Sequence, residues 1–221
     1  MKWKWILCAL LAFALLAGCG KEEDPAPLQE EPGAMEPVTA GNAQELLDKL
    51  TTEQKVAQLF FVRPDALDLS LTAETREDPQ ADGLTQASAE ALDTLRDYPV
   101  GGFVFFGKNL EDPAQLAALM EGLTENSPVP PLFATDEEGG SVAQVANSDG
   151  FEVPQVDSMA QIGAAGDPAQ ARQAAVTMGT YLQELGFHLD LAPVADVNSD
   201  PNNTTMADRA FHSNAEQAAM M

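Results

Sequence analysis

The chain has 221 residues, 45% hydrophobic and 21% charged, which is enough apolar content to form the core of one globular domain. Its 35 acidic side chains against 11 Lys and Arg give a formal net charge of −24 at pH 7. A surface with this negative charge repels nucleic acid phosphates and anionic lipid head groups. We therefore expect no nucleic acid partner and no charge-driven binding to lipid.

Residues 1–18 have the pattern of a bacterial export signal. A basic start precedes the apolar run 6–16, which is too short for a bilayer that needs about 20 residues. The sequence Leu-Ala-Gly then leads into Cys19 and resembles a lipobox, in which the cysteine is acylated. The alternative is an ordinary signal peptide with an incidental cysteine. We predict an extracytoplasmic protein, anchored to the bacterial cell membrane through lipid at Cys19.

Residues 19–43 combine prolines and acids with few aliphatic side chains, which is typical of a disordered spacer. We expect this segment to hold a folded domain, residues 44–221, away from the membrane. Removal of the signal would also remove Cys8, the chain's other cysteine, so no intrachain disulfide is expected.

The folded part begins with a capping box at residues 51–54, which predicts the start of a helix. The apolar run 59–62 predicts a first strand. Residues 63–86 are polar and interrupted by proline, which indicates a long loop, and long loops at strand ends are often functional.

Further helices and a second strand follow in alternation. Ser88 predicts the N-cap of a helix, and the run 100–106 predicts a strand. The tetrapeptide Asp-Pro-Ala-Gln begins at Asp112 and again at Asp167, and each copy predicts a helix with aspartate as N-cap and proline at the first position.

The stretch 130–145 contains a short apolar strand that ends in three carboxylates and two glycines. Asp136, Glu137 and Glu138 would lie at the carboxyl end of this strand, where α/β folds bind their ligands. The alternative is a solvated acidic loop. A fourth strand is predicted through Leu189, Leu191 and Val194.

Four strands, near residues 60, 103, 133 and 192, alternate with helices and predict an α/β fold with a parallel sheet. Four such βα units fit half of a (β/α)₈ barrel, or a small open doubly wound sheet. Residues 214–221 read as a helix that stops within its pattern.

Five segments resemble, in order and spacing, the N-terminal barrel of family 3 glycoside hydrolases, in particular the bacterial β-N-acetylhexosaminidase branch. They are LTTEQKVAQLFFV, VGGFVFFGKNLEDPAQL, PLFATDEEGGSVAQV, LGFHLDLAPVADVNSDPNN and ADRAF. The resemblance implies a partial (β/α)₈ TIM barrel of about four units. It also implies hydrolysis of terminal β-linked N-acetylhexosamine by a retaining mechanism, with no cofactor. The alternative is a non-catalytic sugar-binding lipoprotein or an inactive truncated fragment.

In that family the aspartate of the D-x-E-G-G motif, here Asp136, contacts hydroxyls of the bound sugar. The arginine of the R-x-F motif, here Arg209, is a further substrate contact. This sequence has Ser141 and Gln144 where the family has two arginines, the second of them a substrate contact, so the resemblance does not fix the sugar.

The resemblance places the catalytic acid/base on a loop after the fifth strand and the nucleophile beyond it. We therefore expect no catalytic residue within these 221 positions, and we expect a truncated part of a monomeric enzyme. His188 and His212 do not match that loop, and His188 is expected to be structural. Asp190, Asp196 and Asp200 have the composition of a metal cluster, but the family uses no metal and none is assigned.

Overall fold

The structure is a computed structural model that describes residues 40–78 and 81–221. The predicted signal, Cys19 and most of the spacer lie outside the described residues. The chain divides into two compact units, Met1–Gln44 and Glu45–Met221, and the second contains the fold described below. Within the described residues, no helix has the length and apolar character needed to cross a membrane.

Helices and short strands alternate along the chain from Ala40 onward. In chain order the elements are α1 (Ala40–Lys49), α2 (Thr52–Ala57), β1 (Phe61–Val62), α3 (Ala73–Glu77), α4 (Ala89–Asp97), β2 (Gly102–Phe105), α5 (Pro113–Glu125), β3 (Leu132–Thr135), β4 (Glu137–Gly139), β5 (Val142–Ala143), α6 (Met159–Ala165), α7 (Pro168–Glu184), β6 (Leu189–Asp190) and α8 (Ala215–Met220). Short 3₁₀ turns lie at Pro64–Leu67 and Gly107–Asn109.

The main sheet is parallel, with the strand order β1-β2-β3-β6. Gly102 pairs with Leu132, and Ala134 pairs with Leu189. Each new strand joins the same growing side of the sheet, as in a (β/α)₈ barrel, whereas the strand order of a doubly wound sheet reverses at a switch point. The predicted α/β fold, a partial barrel, is confirmed. A separate antiparallel hairpin, β4–β5, follows β3 directly.

Side-chain caps fix the helix starts that the sequence predicts. Thr51 and Gln54 form the reciprocal capping box of α2, and Ser88 accepts a hydrogen bond at the start of α4. The Asp112 carboxylate accepts hydrogen bonds from two backbone amides of α5, and Asp167 caps α7 through the amide of Ala169. These predictions are confirmed. The sequence could predict the caps because capping depends on residues that are neighbours in the chain.

The core lies between the sheet and its helices, with phenylalanine side chains at its centre. The ring of Phe105 lies edge-on to those of Phe133 and Phe187, at centroid distances of 5.7 and 5.9 Å. Buried leucines of α5 and buried residues of α7, including Met178 and Leu182, belong to the same core cluster as these rings. This core fixes the strands whose carboxyl ends form the candidate site.

The first strand covers only Phe61–Val62 of the predicted run 59–62, and the fourth strand and the long loop also differ from the sequence-based expectation. The fourth strand covers only Leu189–Asp190, and not the full run to Val194. Pro193 has no amide hydrogen to extend a strand ladder, and β6 pairs with β3 over two residues only. The long loop 63–86 is also more regular than predicted, since it contains a 3₁₀ turn and α3.

Candidate functional site

The candidate site begins where β3 ends at Thr135. Asp136 follows, and the chain then folds back through the hairpin β4–β5. Gly139 and Gly140 make this reversal with φ values of 82° and 58°, a region that side-chain-bearing residues rarely adopt. A Cβ atom on Gly140 would also lie 2.6 Å from Cβ of Ser158. The glycines therefore set the path of the chain next to three carboxylates.

Glu137 is fully buried, and its carboxylate is bound entirely by protein groups. Oε2 accepts a hydrogen bond from Val145 N at 2.8 Å, and Oε1 accepts from Ala146 N at 3.0 Å and from the Tyr181 hydroxyl at 2.7 Å. These bonds tie the hairpin to α7. The alternative of a solvated acidic loop is wrong, because Glu137 and Glu138 are 0% and 3% exposed.

Glu138 forms a bidentate ion pair with Arg209. Arg209 Nε donates to Oε2 at 2.8 Å and Nη2 donates to Oε1 at 2.7 Å. The hydrogen bonds and the charge of Glu138 raise the pKa of the guanidinium. Sequence reasoning missed this partner, because the two residues are 71 positions apart.

The segment that carries Arg209 is docked against α6. Asp208 O accepts a hydrogen bond from Ala160 N at 3.1 Å. If residue 163 carried a Cβ atom, that atom would lie 1.8 Å from the backbone carbonyl oxygen of Phe211. Gly163 thus permits a close approach that brings Arg209 to the end of β3.

Asp136 remains partly exposed and lies within electrostatic reach of Arg209. Burial raises the pKa of Asp136, repulsion from Glu138 raises it further, and Arg209 opposes both effects. The structure therefore brings together the two residues that the sequence predicts as sugar contacts. A carboxylate and a guanidinium can accept and donate hydrogen bonds to hydroxyl groups.

Asp190 joins this cluster from the end of β6, and sequence reasoning did not place it there. Its Oδ1 accepts a hydrogen bond from Glu137 N at 3.0 Å. Burial chiefly raises the pKa of Asp190 to about 6; the Glu137 amide opposes the rise, and the charges of Glu137, Asp136 and Glu138 add to it. The sequence signal that could have found Asp190 is its position at the carboxyl end of a strand, which is also the position of Asp136.

Ser141 and Gln144, which replace the family's arginines, have different surroundings. Ser141 is exposed beside the hairpin turn. Gln144 is partly buried, and its Oε1 accepts a hydrogen bond from Gly107 N at 2.8 Å. Gln144 therefore connects the β3 hairpin to the turn after β2.

Among the described residues, neither histidine side chain is hydrogen-bonded to the carboxylates of the candidate site or to Arg209. His188 Nδ1 accepts a hydrogen bond from Phe133 N at 3.0 Å, near the amino ends of β3 and β6, and its ring lies on Phe133. This contact supports the predicted structural role. His212 Nδ1 accepts from Asn214 N at 2.9 Å.

Asp196 and Asp200 serve local turns. Their carboxylates accept hydrogen bonds from Val197 N at 2.7 Å and Asn202 N at 2.9 Å, respectively. In the part of the chain that the structure describes, no group of three His, Cys, Asp or Glu side chains is arranged to hold a metal ion.

Comparison with known proteins identifies the domain. The glycosyl hydrolase family 3 N terminal domain matches residues 51–221. The chain belongs to this family. Beta-hexosaminidase A of Pseudoalteromonas piscicida is 29% identical over 189 residues, covering 80% of this chain and 30% of that protein. Beta-hexosaminidase LpqI of Mycobacterium tuberculosis is 32% identical over 126 residues, covering 57% and 31%.

Solved structures of family 3 proteins share this fold. A family 3 beta-N-acetylglucosaminidase from Paenibacillus superimposes with a TM-score of 0.62 and 31% identity, over 77% of this chain and 29% of that one. NagZ from Neisseria gonorrhoeae, in complex with N-trifluoroacetyl-D-glucosamine, gives 0.53 and 26%, over 61% and 40%. The chain thus spans about a third of the length of the curated relatives that it matches.

Proposed function

We propose that the protein is a glycoside hydrolase that removes terminal β-linked N-acetylhexosamine from glycans or peptidoglycan fragments by a retaining mechanism. Membership of family 3 and the names of its relatives support this proposal. The observation that carries it is the bidentate pairing of Arg209 with Glu138, two residues after Asp136 at the carboxyl end of β3.

Asp136 and Arg209 would bind the terminal sugar. Asp136 offers carboxylate oxygens to its hydroxyl groups. Glu138 occupies Nε and Nη2 of Arg209, and Nη1 has no acceptor among the described residues, so this nitrogen is available to donate to the sugar. Because Glu138 holds the guanidinium in place, little conformational entropy is lost when the sugar binds.

Bond cleavage by a retaining mechanism needs an acid to protonate the leaving oxygen and a carboxylate to attack the anomeric carbon. The described residues supply binding in this proposal, and the resemblance assigns both catalytic groups to other segments. Since this chain covers about a third of its curated relatives, the activity is proposed for the protein as a whole.

A non-catalytic sugar-binding lipoprotein is the second candidate. Gln144 favours it, because a neutral amide tied to Gly107 stands where the family has a substrate-contacting arginine.

For both candidate functions we propose a monomer held at the bacterial cell membrane by lipid at Cys19. Mass spectrometry should find a diacylglyceryl group on Cys19, and Cys19→Ser should move the protein to the soluble fraction. An unmodified Cys19 would refute the anchor.

Hydrolysis of 4-nitrophenyl N-acetyl-β-D-glucosaminide, by protein made from the complete coding sequence, tests the activity. Asp136→Ala should lower kcat/KM by a factor of about 30 to 900, equivalent to about 2 to 4 kcal/mol of lost transition-state binding. Asp149→Ala removes an exposed carboxylate and is the control. Equal kcat/KM for Asp136→Ala and the parent would refute the site. If the parent protein binds the sugar but does not hydrolyse it, the second candidate is favoured.

A further inference from the structure

The side chain of Asp190 extends the pairing between β3 and β6 beyond the end of β6. Leu191 N, just past β6, donates to Thr135 O at 2.9 Å. Because the bonds of a parallel ladder are evenly spaced, the next amide on the β3 side is that of Glu137. This amide donates to Asp190 Oδ1 at 3.0 Å. A side-chain carboxylate therefore takes the part of a backbone acceptor at this step of the ladder.

The bond to Asp190 fixes the amide half of the peptide group that joins Asp136 to Glu137. The carbonyl half is fixed by Gln144, whose backbone N donates to Asp136 O at 3.1 Å. Because a peptide group is planar and rigid, bonds at its carbonyl and at its amide together define its orientation. Rotation about the Cα–C bond of Asp136 would therefore break at least one of the two bonds.

The Asp136 carboxylate depends on this backbone for its direction. Among the described residues, no group donates a hydrogen bond to this carboxylate, and Arg209 acts on it through charge. Hydrogen bonds between a carboxylate and hydroxyl groups are effective over only about 2.5 to 3.0 Å between oxygens. A small rotation of the peptide group after Asp136 would thus carry the carboxylate out of reach of a bound sugar.

Asp190 makes its bond in an unfavourable electrostatic setting. Burial, and then the charges of Glu137, Asp136 and Glu138, raise the pKa of Asp190 to about 6, while the bond from the Glu137 amide opposes this rise. An asparagine at this position could accept the same bond without adding a charge. Substitution can therefore separate the effect of the hydrogen bond from the effect of the charge.

We propose that Asp190 is a positioning residue, which holds the Glu137 amide and thereby keeps the Asp136 carboxylate directed at the hydroxyl groups of the terminal sugar. The inference rests on the proposed function and deepens it, because it names a residue that acts on the sugar through Asp136. Asp190 needs no contact with the sugar in this role. Its contribution is lost with the hydrogen-bond acceptor and not with the negative charge.

Three substitutions of Asp190, in protein made from the complete coding sequence, test the proposal. Asp190→Asn keeps the acceptor and removes the charge. Asp190→Ala removes both, and Asp190→Leu removes both but keeps the branched shape of the side chain. For Asp190→Ala and Asp190→Leu, kcat/KM on 4-nitrophenyl N-acetyl-β-D-glucosaminide should fall by a factor of about 10 to 100, because Asp136 is displaced. For Asp190→Asn it should stay within about threefold of the parent.

The amide resonance of Glu137 gives a measurement that does not depend on the sugar. In protein with isotope-labelled glutamate, the Glu137 amide proton should move upfield in Asp190→Ala, where its hydrogen bond is lost. It should stay near the parent position in Asp190→Asn. The matched control is Asp167→Ala, which removes a bond of the same length, from Ala169 N to Asp167 Oδ1 at 3.0 Å, at the exposed start of α7. This control should change neither kcat/KM nor the Glu137 resonance.

Equal losses of kcat/KM for Asp190→Asn and Asp190→Ala would overturn the proposal, since the charge and not the acceptor would then matter. Parent-like kcat/KM for Asp190→Ala, or a fall without any change at the Glu137 amide, would also overturn it and leave the proposed function standing. If the parent binds the sugar without hydrolysis, Kd for N-acetylglucosamine provides the same comparison among the variants. If the parent neither binds the sugar nor hydrolyses the glycoside, the proposed function fails, and the role of Asp190 fails with it.

Discussion

Arg209 donates two hydrogen bonds, of 2.8 and 2.7 Å, to the carboxylate of Glu138, which lies 71 residues earlier in the chain. The side chain of Glu138 is 4% exposed and that of Arg209 is 27% exposed. A carboxylate this deeply buried depends on its cation, since the pair replaces the water that each group loses. The pair therefore holds the last described segment onto the end of β3 and places the guanidinium beside Asp136.

Arg209→Met should lower the free energy of unfolding by about 3 kcal/mol, because it leaves the buried Glu138 carboxylate without its partner. The double variant Arg209→Met/Glu138→Gln should lose less, because no buried charge is left unpaired. Urea unfolding of both variants measures the difference. Arg172→Met, at an exposed position of α7, is the control and should change stability by under about 0.5 kcal/mol. Equal losses for Arg209→Met and Arg172→Met would show that the ion pair contributes nothing.

Gly163→Ala should destabilise the protein by about 1 to 3 kcal/mol, although alanine is normally the better helix former. Its Cβ would lie 1.8 Å from the carbonyl oxygen of Phe211, so the segment with Arg209 must move away from α6. Gly179→Ala in α7 is a matched control, because nothing lies within 4 Å of its added Cβ. The free energy of unfolding of Gly179→Ala should rise by up to about 1 kcal/mol. Thermal unfolding compares the two, and a gain in both would contradict the close approach.

The fold was predictable from the sequence where it depends on near neighbours. Asp112 and Asp167 each cap the helix that follows them, so the signal and its effect lie within three residues. The strands and their parallel order followed from the alternation of apolar runs with helices. The position of Asp136 after β3 followed in the same way, because the strand and the residue are adjacent.

The contacts that complete the site were not predictable, because each joins distant parts of the chain. Tyr181 reads as one more apolar position of α7, yet its hydroxyl bonds to Glu137, 44 residues earlier. Gly163 gives no local sign that the Phe211 carbonyl lies against it. Asp190 follows the same rule as Asp136, but its strand is short and exposed, so the pattern around it was weak.

Tyr181→Phe should lower the free energy of unfolding by about 1 to 2 kcal/mol. The change removes the 2.7 Å hydrogen bond to the buried Glu137 carboxylate, while Val145 N and Ala146 N still bind it. Tyr98→Phe is the control, because Tyr98 is an exposed side chain at the end of α4. Chemical denaturation of both variants gives the difference. Equal stabilities for Tyr181→Phe and Tyr98→Phe would show that the hydroxyl adds nothing to the buried carboxylate.

Asp190→Asn should change how stability depends on pH. Burial, followed by the charges of Glu137, Asp136 and Glu138, raises the pKa of Asp190 from 3.8 to about 6. An unfolded aspartate titrates near pH 3.9, so between about pH 4 and 6 the folded protein holds more protons than the unfolded chain. The free energy of unfolding must then fall as the pH rises through this window.

Asparagine does not titrate, and its Oδ1 can still accept the hydrogen bond from Glu137 N. The stability of Asp190→Asn relative to the parent should therefore rise by about 1 to 2 kcal/mol between pH 4 and 7, after allowance for solvent screening of a half-buried group. Asp149→Asn removes one exposed negative charge and shows what the loss of charge does by itself. Urea unfolding at several pH values measures both differences. A difference for Asp190→Asn that stays constant with pH, or falls as the pH rises, would show that the pKa of Asp190 is not raised in the folded protein.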